Sequence, residues 1–175
     1  SDFELLDGRT NMITKAPIRL LTLAQLDLRR YQTLWDIGFC TGSVSIEAKL
    51  QFPHLHVVAF EQRPEGERLM EINAARFGTP GIITCIGDFL QAELDDLPAP
   101  DAVFIGGHGG RLDAIVQRVS TRLPHRGVIV FNSVTAESCE LFANAVTRHG
   151  CNVVDSQHVT INGFNPILIM KAQKI

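Results

Sequence analysis

The chain has 175 residues and a formal net charge of −3, from 16 basic and 19 acidic residues. This length favours one folded domain, and a hydrophobic content of 45% is enough for a buried core. The nearly balanced charge creates no positive field that would attract nucleic acid or an anionic membrane, so neither is an expected partner.

Apolar runs of strand length alternate along the chain with segments of helical period, which is typical of repeated β-α units. A first helix is expected at residues 15–26, capped by Thr14. Seven strands are predicted, at residues 33–37, 56–61, 82–86, 102–105, 128–132, 152–161 and 166–172. Four further helices are predicted between them, at residues 44–51, 64–77, 112–123 and 136–149.

The order of these elements predicts an α/β fold, a doubly wound, Rossmann-like, mostly parallel seven-stranded sheet. Residues 162–165 are too few for a crossover helix, so the last two strands are expected to form an antiparallel hairpin. A parallel sheet with that ending is typical of class I methyltransferases. We expect a single domain over residues 31–175, preceded by an N-terminal segment and helix over residues 1–30. Because the first residue is Ser1, we expect either a tag remnant or the C-terminal part of a longer chain.

The first predicted strand runs into a glycine turn at residues 38–42. Glycine permits a positive φ and lets the backbone approach a ligand, while the following helix offers free N–H groups. A dehydrogenase fingerprint would have glycine at positions 38, 40 and 43, but the chain has Cys40 and Ser43. Gly38 and Gly42 fit the Gly-x-Gly-x-Gly turn of methyltransferases that use S-adenosyl-L-methionine, with Cys40 in the middle place. A tight β-α turn without a ligand is the simpler alternative.

The next two strand ends carry acidic residues. Glu61 follows Gly42 by 19 residues, where a carboxylate can accept hydrogen bonds from a ribose diol, although a solvated charge is the alternative. After the third strand, Asp88 could hold an adenine amino group and Phe89 could cover the ring. Three strand ends thus predict a site for an adenosine cofactor, and the glycine turn favours S-adenosyl-L-methionine and methyl transfer over a dinucleotide and hydride transfer. The cofactor-binding residues predicted at these strand ends are Gly38, Phe39, Cys40, Thr41, Gly42, Glu61, Gly87, Asp88 and Phe89.

The loop after the fourth strand, residues 106–110, has four glycines in five positions. Such a backbone could lie against a large flat molecule, and the helix after it would offer N–H groups to carboxylates. We expect Gly106, Gly107 and His108 to bind substrate, and a bulky residue at position 107 to obstruct substrate and spare the cofactor. His108 could also act as an acid or base, although a loop histidine is more often solvated. A flexible glycine loop without a ligand is the alternative.

Together these segments resemble the decarboxylating precorrin-6Y C5,15-methyltransferases of cobalamin synthesis, over almost the whole chain from Met12 to Ala172. The segments that carry the resemblance are residues 12–15 with Arg19, 34–47, 61–65 with Asn73, 104–110 and 132–137. The last two segments are the most specific, because other methyltransferases seldom have both. Cys40 departs from the family pattern, as does Arg63, which stands where asparagine is common.

The resemblance implies an enzyme of porphyrin metabolism that methylates carbon 15 of a precorrin and removes the ring C acetate as carbon dioxide. It implies the candidate catalytic residues His108, Asn132, Thr135 and Glu137, and it adds Thr14 to the expected cofactor-binding residues. Asn132 and Thr135 could instead cap the helix that begins near residue 136. An in-line methyl displacement depends on alignment of the reactants more than on a strong base. No metal is expected, since Cys40 has no His or Cys partner at ligand spacing.

Two other functions stay open, a class I methyltransferase acting on tRNA or protein and a non-catalytic cofactor-binding domain. The acidic balance argues against tRNA. The expected partners are the tetrapyrrole substrate, further copies of the chain in a homo-oligomer, and a second precorrin methylase domain, fused or separate. No apolar run approaches the roughly 20 residues of a membrane-spanning helix. Four cysteines without a close pair, and no secretory pattern in residues 1–20, predict a cytoplasmic location.

Overall fold

The computed structural model of the chain describes residues 2–9, 11–163 and 166–175. Its helices are α1 (Ala16–Leu26), α2 (Ser43–Gln51), α3 (Glu65–Phe77), α4 (Leu112–Ser120) and α5 (Ala136–Arg148). Its strands are β1 (Thr33–Ile37), β2 (His56–Glu61), β3 (Ile82–Ile86), β4 (Ala102–Ile105), β5 (Val128–Ser133), β6 (Cys151–Val159) and β7 (Ile167–Lys174). Short 3-10 turns cover Leu28–Arg30 and Phe89–Gln91.

The seven strands form one sheet in the order β3-β2-β1-β4-β5-β7-β6. All pairs among β1 to β5 are parallel, whereas β7 is antiparallel to both β5 and β6. The predicted doubly wound α/β sheet with an antiparallel hairpin at its end is confirmed. Phe164 and Asn165 of the predicted hairpin connection lie outside the described residues. The strand order reverses between β1 and β4, and ligands of doubly wound sheets bind at the carboxyl ends of such strands.

Helices cover both faces of the parallel sheet, which is why every residue of β1 is buried. Alternate residues of a strand point to opposite faces. Trp35 and Ile37 belong to the apolar cluster that contains α4 and α5, and Leu34 belongs to the cluster that contains α1 and α2. The near-continuous apolar strands in the sequence therefore encode a sheet that is covered on both sides.

Strands β1 to β4 have the predicted bounds, whereas each of the other helices and strands differs from its predicted range by one to three residues at one end or both. Two of these differences have a local cause. Thr14 is not the cap of α1, because the first helical hydrogen bond runs from Arg19 N–H to the Lys15 carbonyl, which makes Lys15 the N-cap. The Thr14 carbonyl instead accepts from Arg19 Nη1 at 2.8 Å. Helix α4 ends at Ser120 and not at Leu123, since the proline at position 124 disfavours helical backbone just before it.

The segment before α1 is tied to the rest of the fold by hydrogen bonds. Glu4 N–H donates to Asn73 Oδ1 at 2.7 Å, and Asn73 Nδ2 donates back to the Glu4 carbonyl at 3.0 Å. The rings of Phe3 and Phe77 lie 4.5 Å apart between centroids. The division of the chain at residue 30 stays a prediction. None of the described helices is long and apolar enough to cross a membrane.

Candidate active site

A cavity of about 1020 Å³ opens at the carboxyl ends of the parallel strands. The loops after β1 to β5 form its floor, residues 11–15 form one wall, and apolar side chains of the β6-β7 hairpin form another. Most of the predicted site residues line this cavity. They are Thr14, Gly38, Phe39, Cys40, Glu61, Gly87, Asp88, Phe89, Gly106, Gly107, His108 and Asn132. Thr41, Gly42, Thr135 and Glu137 are not among the lining residues.

The glycine turn after β1 requires left-handed backbone at three places, Gly38 and Gly42 with φ of 77° and Cys40 with φ of 55°. A Cβ added to Gly38 would lie 2.7 Å from the Gly107 nitrogen, so glycine is needed where the two loops meet. Cys40 adopts a conformation that costs a non-glycine residue roughly 1–2 kcal/mol. Its thiol donates to the Met12 carbonyl at 2.9 Å, and burial raises its pKa. Cys40 therefore acts as a neutral donor that ties the turn to residues 11–15.

Glu61 ends β2 with a carboxylate that is 4% exposed. Its Oε1 accepts from Arg63 N–H at 3.0 Å and from Arg63 Nε at 2.9 Å. Its Oε2 accepts from Cys40 N–H at 2.9 Å and from Arg63 Nη2 at 3.0 Å. Burial acts to raise the pKa of Glu61, but the hydrogen bonds from Arg63 and Cys40 outweigh it and the pKa lies below its ordinary value. The carboxylate is ionised and carries four N–H donors.

Asp88 follows β3 and caps the 3-10 turn after it, since its Oδ1 accepts from Leu90 N–H at 3.0 Å. The Arg111 guanidinium pairs with the same carboxylate at 2.6 Å and 3.0 Å, and its hydrogen bonds lower the pKa of Asp88. Phe89 lines the cavity, with its ring edge-on to Trp35 and Phe60 at centroid distances of 6.2 Å and 5.0 Å. A carboxylate and an aromatic ring therefore lie side by side in this wall.

Asp36 of β1 is a cavity residue to which the sequence analysis assigns no role. The side chain is fully buried, and its Oδ2 accepts from Ser45 N–H at 3.2 Å and Ser45 Oγ at 2.6 Å. Its Oδ1 has no hydrogen-bond partner among the residues that the structure describes. Burial raises the pKa of Asp36 to about 7, although the hydrogen bonds from Ser45 act to lower it. An acidic residue in an apolar strand, two positions before the glycine turn, is the signal that could have found it.

The glycine loop after β4 brings His108 to the opposite side of the cavity. His108 Nδ1 accepts from Gly110 N–H at 3.2 Å, so in the neutral ring the proton is on Nε2. The imidazole lies edge-on to Phe131, with centroids 5.8 Å apart. A Cβ added to Gly107 would lie 3.9 Å from Gly38 Cα. This is an ordinary contact distance, so a Cβ fits at position 107, and the expected separate effect of a bulky residue there on substrate and on cofactor stays a prediction.

The loop after β5 divides into a part that faces the cavity and a part that caps α5. Asn132 lines the cavity, and its Nδ2 donates to Thr22 Oγ1 of α1 at 2.9 Å. Thr135 is the N-cap of α5, because its Oγ1 accepts from Ser138 N–H at 3.1 Å. The capping alternative is thus confirmed for Thr135 and is wrong for Asn132. Glu137 is exposed in the first turn of α5. Its catalytic role, like that of Thr135, stays a prediction without support from the cavity.

Val134 is a second residue to which the sequence analysis assigns no role. It lies in the same loop, lines the cavity and is 69% exposed. Val159, Ile161 and Ile167 of the hairpin line the cavity as well. This part of the cavity wall is therefore apolar, and an apolar residue in a strand-end loop is its only local signal in the sequence. Among the described residues, no group of three or more His, Cys, Asp or Glu side chains is arranged to hold a metal ion.

The chain matches the family model described as "Precorrin methyltransferase domain" over residues 6–171. It is 40% identical over 142 residues to a precorrin-6Y C(5,15)-methyltransferase (decarboxylating) of Sinorhizobium sp, covering 81% of this chain and 34% of the relative. It is 34% identical over 162 residues to the cobalt-precorrin-6B C(15)-methyltransferase (decarboxylating) of Salmonella typhimurium, covering 93% of this chain and 83% of the relative.

One solved structure is similar over nearly the full length. It is described as precorrin-6y C5,15-methyltransferase from Geobacter metallireducens GS-15, and it matches with a TM-score of 0.83 at 33% identity. The match covers 99% of this chain and 94% of that one. The chain thus spans about a third of the Sinorhizobium relative, at 34%, but most of the Salmonella relative and of the Geobacter structure.

Proposed function

Because the chain belongs to the precorrin methyltransferase family, we propose that it methylates carbon 15 of a precorrin-6Y-type tetrapyrrole and decarboxylates the ring C acetate. The methyl donor in this proposal is S-adenosyl-L-methionine. The observation that carries the proposal is one cavity with acidic residues at three strand ends on one side and a glycine loop with apolar walls on the other. Such a cavity suits a small polar cofactor next to a large flat substrate.

The residues of the acidic side fit the cofactor. Asp36 Oδ1 is a buried acceptor without a donor among the described residues, which suits an ammonium group. Glu61 suits a ribose diol, and Asp88 with Phe89 suits an adenine ring. Gly38 brings backbone within reach of a ligand, because no side chain stands between it and the cavity. When bound there, the cofactor supplies a methyl group activated on a sulfonium sulfur.

The residues of the other side fit a tetrapyrrole. Val134 and the hairpin residues Val159, Ile161 and Ile167 offer apolar surface to a macrocycle and exclude water from it. Asn132, held by Thr22, presents an amide to the same space. His108 Nε2 is positioned to donate a hydrogen bond to a substrate carboxylate or to pass a proton. Alignment of the reacting atoms by these walls would supply most of the rate enhancement.

The proposal extends to partners and location. The chain matches only 34% of the Sinorhizobium relative, which supports a second methylase domain as a fused or separate partner. Strand β6 is one of the two edge strands of the sheet, and its Val154 is 52% exposed. Since unpaired strand edges join readily with other copies, we infer a homo-oligomer that uses this edge. The four cysteines are free thiols, which supports a cytoplasmic location.

Incubation with a cobalt-free precorrin-6Y-type substrate and S-adenosyl-L-methionine tests the reaction. The expected product, seen by mass spectrometry, has gained one methylene and lost one carbon dioxide. A product with the methylene but with its carboxylate intact would refute the decarboxylating step. Calorimetric titration with S-adenosylhomocysteine tests the cofactor site separately. A non-catalytic cofactor-binding domain would give binding heat but no methylated product.

A further inference from the structure

The two carboxylates assigned to the adenosine part of the cofactor are both engaged by arginines of the same cavity. Arg63 contacts Glu61 through Nε to Oε1 at 2.9 Å and through Nη2 to Oε2 at 3.0 Å. Arg111 contacts Asp88 through Nη1 to Oδ2 at 2.6 Å and through Nη2 to Oδ1 at 3.0 Å. Both arginines line the cavity. Each pair is therefore a bidentate guanidinium–carboxylate contact, placed where cofactor atoms would have to bind.

Glu61 can exchange donors without losing a hydrogen bond. Two of its four donors, the N–H groups of Cys40 and Arg63, belong to the backbone and stay in place. The other two belong to the Arg63 side chain, one on each carboxylate oxygen. A ribose diol brings two O–H donors, so the number of hydrogen bonds on Glu61 stays at four. The exchange leaves no acceptor site of Glu61 unsatisfied, and what it gives up is the ion pair with Arg63.

Asp88 permits the same exchange more easily. Leu90 N–H holds its Oδ1 at 3.0 Å and does not depend on Arg111. The side chains of Arg111 and Asp88 are 42% and 30% exposed. Exposed ion pairs contribute little to stability, so Arg111 can be replaced by a neutral donor such as an adenine amino group. Both carboxylates can thus accept the cofactor if both guanidiniums move away.

The guanidiniums that leave Glu61 and Asp88 would remain in the cavity that cofactor and substrate share. Arg63 Nη1 is already 3.5 Å from Met12 Sδ, in the wall formed by residues 11–15. Arg111 N–H donates to the His108 carbonyl at 2.8 Å, which anchors it directly after the glycine loop. A precorrin carries several acetate and propionate groups. A guanidinium is the side chain best matched to a carboxylate, because its fork forms two parallel hydrogen bonds.

We propose that Arg63 and Arg111 are exchangeable receptors for substrate carboxylates, which cofactor binding releases from Glu61 and Asp88. This inference rests on the proposed function and adds two substrate-binding residues and an order of binding, with the cofactor first. Cofactor and substrate then strengthen each other's binding, since each favours the arrangement in which the guanidiniums face the substrate. Such coupling is reciprocal, so the cofactor must tighten substrate binding by the factor by which the substrate tightens cofactor binding.

Fluorescence titration with uroporphyrin III, a stable tetrapyrrole with acetate and propionate groups, measures this coupling. Saturating S-adenosylhomocysteine is expected to tighten uroporphyrin binding by about tenfold. A tetracationic N-methylpyridyl porphyrin, which has no carboxylates, should show no such gain. Uroporphyrin that fails to bind, or that binds equally with and without S-adenosylhomocysteine, would overturn the proposal.

Variants assign the coupling to the two arginines. Arg63→Gln and Arg111→Gln should each reduce the gain to about twofold or less, and Arg63→Gln should bind S-adenosylhomocysteine more tightly because its competitor for Glu61 is gone. Arg63→Lys, which keeps the charge but not the fork, should retain an intermediate gain. Arg148→Gln is the matched control, because Arg148 pairs with Asp113 at 2.6 Å and neither lines the cavity. Full coupling in both cavity variants would refute the proposal.

The two proposals can fail separately. S-adenosylhomocysteine that gives no binding heat with the unaltered protein would overturn the proposed function, and the exchange with it. Normal S-adenosylhomocysteine binding without any effect on uroporphyrin would overturn only the exchange. The thermal transition of each variant, compared with that of the unaltered protein, shows that a lost coupling does not reflect a lost fold.

Discussion

Replacement of Asp36 by asparagine tests the buried carboxyl group at the base of the cavity. The pKa of Asp36 is raised from 3.8 to about 7, because burial penalises the ionised form. A difference of that size corresponds to about 4 kcal/mol, at about 1.4 kcal/mol for each pKa unit. The folded state binds the proton more tightly than the unfolded state does. This contribution to stability is therefore complete below pH 3.8 and is lost as the pH rises through about 7.

Asparagine cannot ionise, so Asp36→Asn removes this loss. Its Oδ can still accept from Ser45, but its amide N–H₂ takes the place of an oxygen that has no partner among the described residues. A buried unsatisfied donor costs about 1–3 kcal/mol. At pH 8 the variant should therefore be more stable than the unaltered protein by about 1–3 kcal/mol. Between pH 5 and pH 8 the difference in the free energy of unfolding between the two proteins should change by about 3 kcal/mol, because the cost of the buried amide does not depend on pH.

Urea denaturation of both proteins at pH 5, 6, 7 and 8 measures this change. Asp95→Asn is the matched control, because it makes the same chemical change at a side chain that is 86% exposed. A difference in stability that is constant over this range would refute the raised pKa of Asp36. A variant less stable at pH 8 than the unaltered protein would show that the carboxylate is stabilised by contacts other than those of Ser45.

Asp36→Asn should stabilise the fold at pH 8 but weaken cofactor binding. If Asp36 Oδ1 accepts from the ammonium group of the cofactor, its loss should weaken S-adenosylhomocysteine binding by about 1.5–3 kcal/mol at pH 8. Binding to the unaltered protein should weaken as the pH falls below 7, because the carboxyl group must then release a proton. Calorimetry at pH 6 and pH 8 checks both expectations. Equal affinity of the two proteins at pH 8 would exclude Asp36 as a cofactor ligand.

Three further predictions concern the glycine turn after β1 and Glu61, the last residue of β2. Gly38→Ala should destabilise the fold by about 2–5 kcal/mol, because alanine is strained in left-handed backbone and its Cβ would lie 2.7 Å from the Gly107 nitrogen. Gly107→Ala should cost less than about 1 kcal/mol, because its Cβ has room. Equal loss for both variants in urea denaturation would refute the close approach of the two loops. Glu61→Ala should weaken S-adenosylhomocysteine binding by about 1–3 kcal/mol, and unchanged affinity in calorimetry would remove Glu61 from the site. Cys40→Gly should retain methyl transfer, because relief of the left-handed strain offsets the lost thiol hydrogen bond. A large loss of activity in a folded Cys40→Gly protein would reveal a chemical role for the thiol.

Local pattern was sufficient for the framework of this protein. Strands β1 to β4 have the predicted bounds, because a short apolar run bounded by turn residues records directly which backbone is buried between helices. The antiparallel end of the sheet follows from the length of the predicted connection between the last two strands, since four residues cannot cross over a sheet. The cavity residues Gly38, Glu61 and Asp88 could be predicted from the sequence because they stand at strand ends, and parallel strands bring those ends to one edge of the sheet.

Contacts between distant residues were decided only by the tertiary structure. Asn132 reads as a helix cap from its neighbours, yet it bonds to Thr22, which is 110 positions away, because the sheet order places β5 beside α1. The raised pKa of Asp36 depends on its burial in the folded chain, and no local pattern states that its Oδ1 has no hydrogen-bond partner among residues 2–9, 11–163 and 166–175. Arg111 reaches Asp88 across 23 positions because α4 packs against the 3-10 turn Phe89–Gln91 that follows β3. A sequence pattern records the backbone conformation and burial of each residue, whereas the partner of a polar side chain is set by the packing of elements that are far apart in the chain.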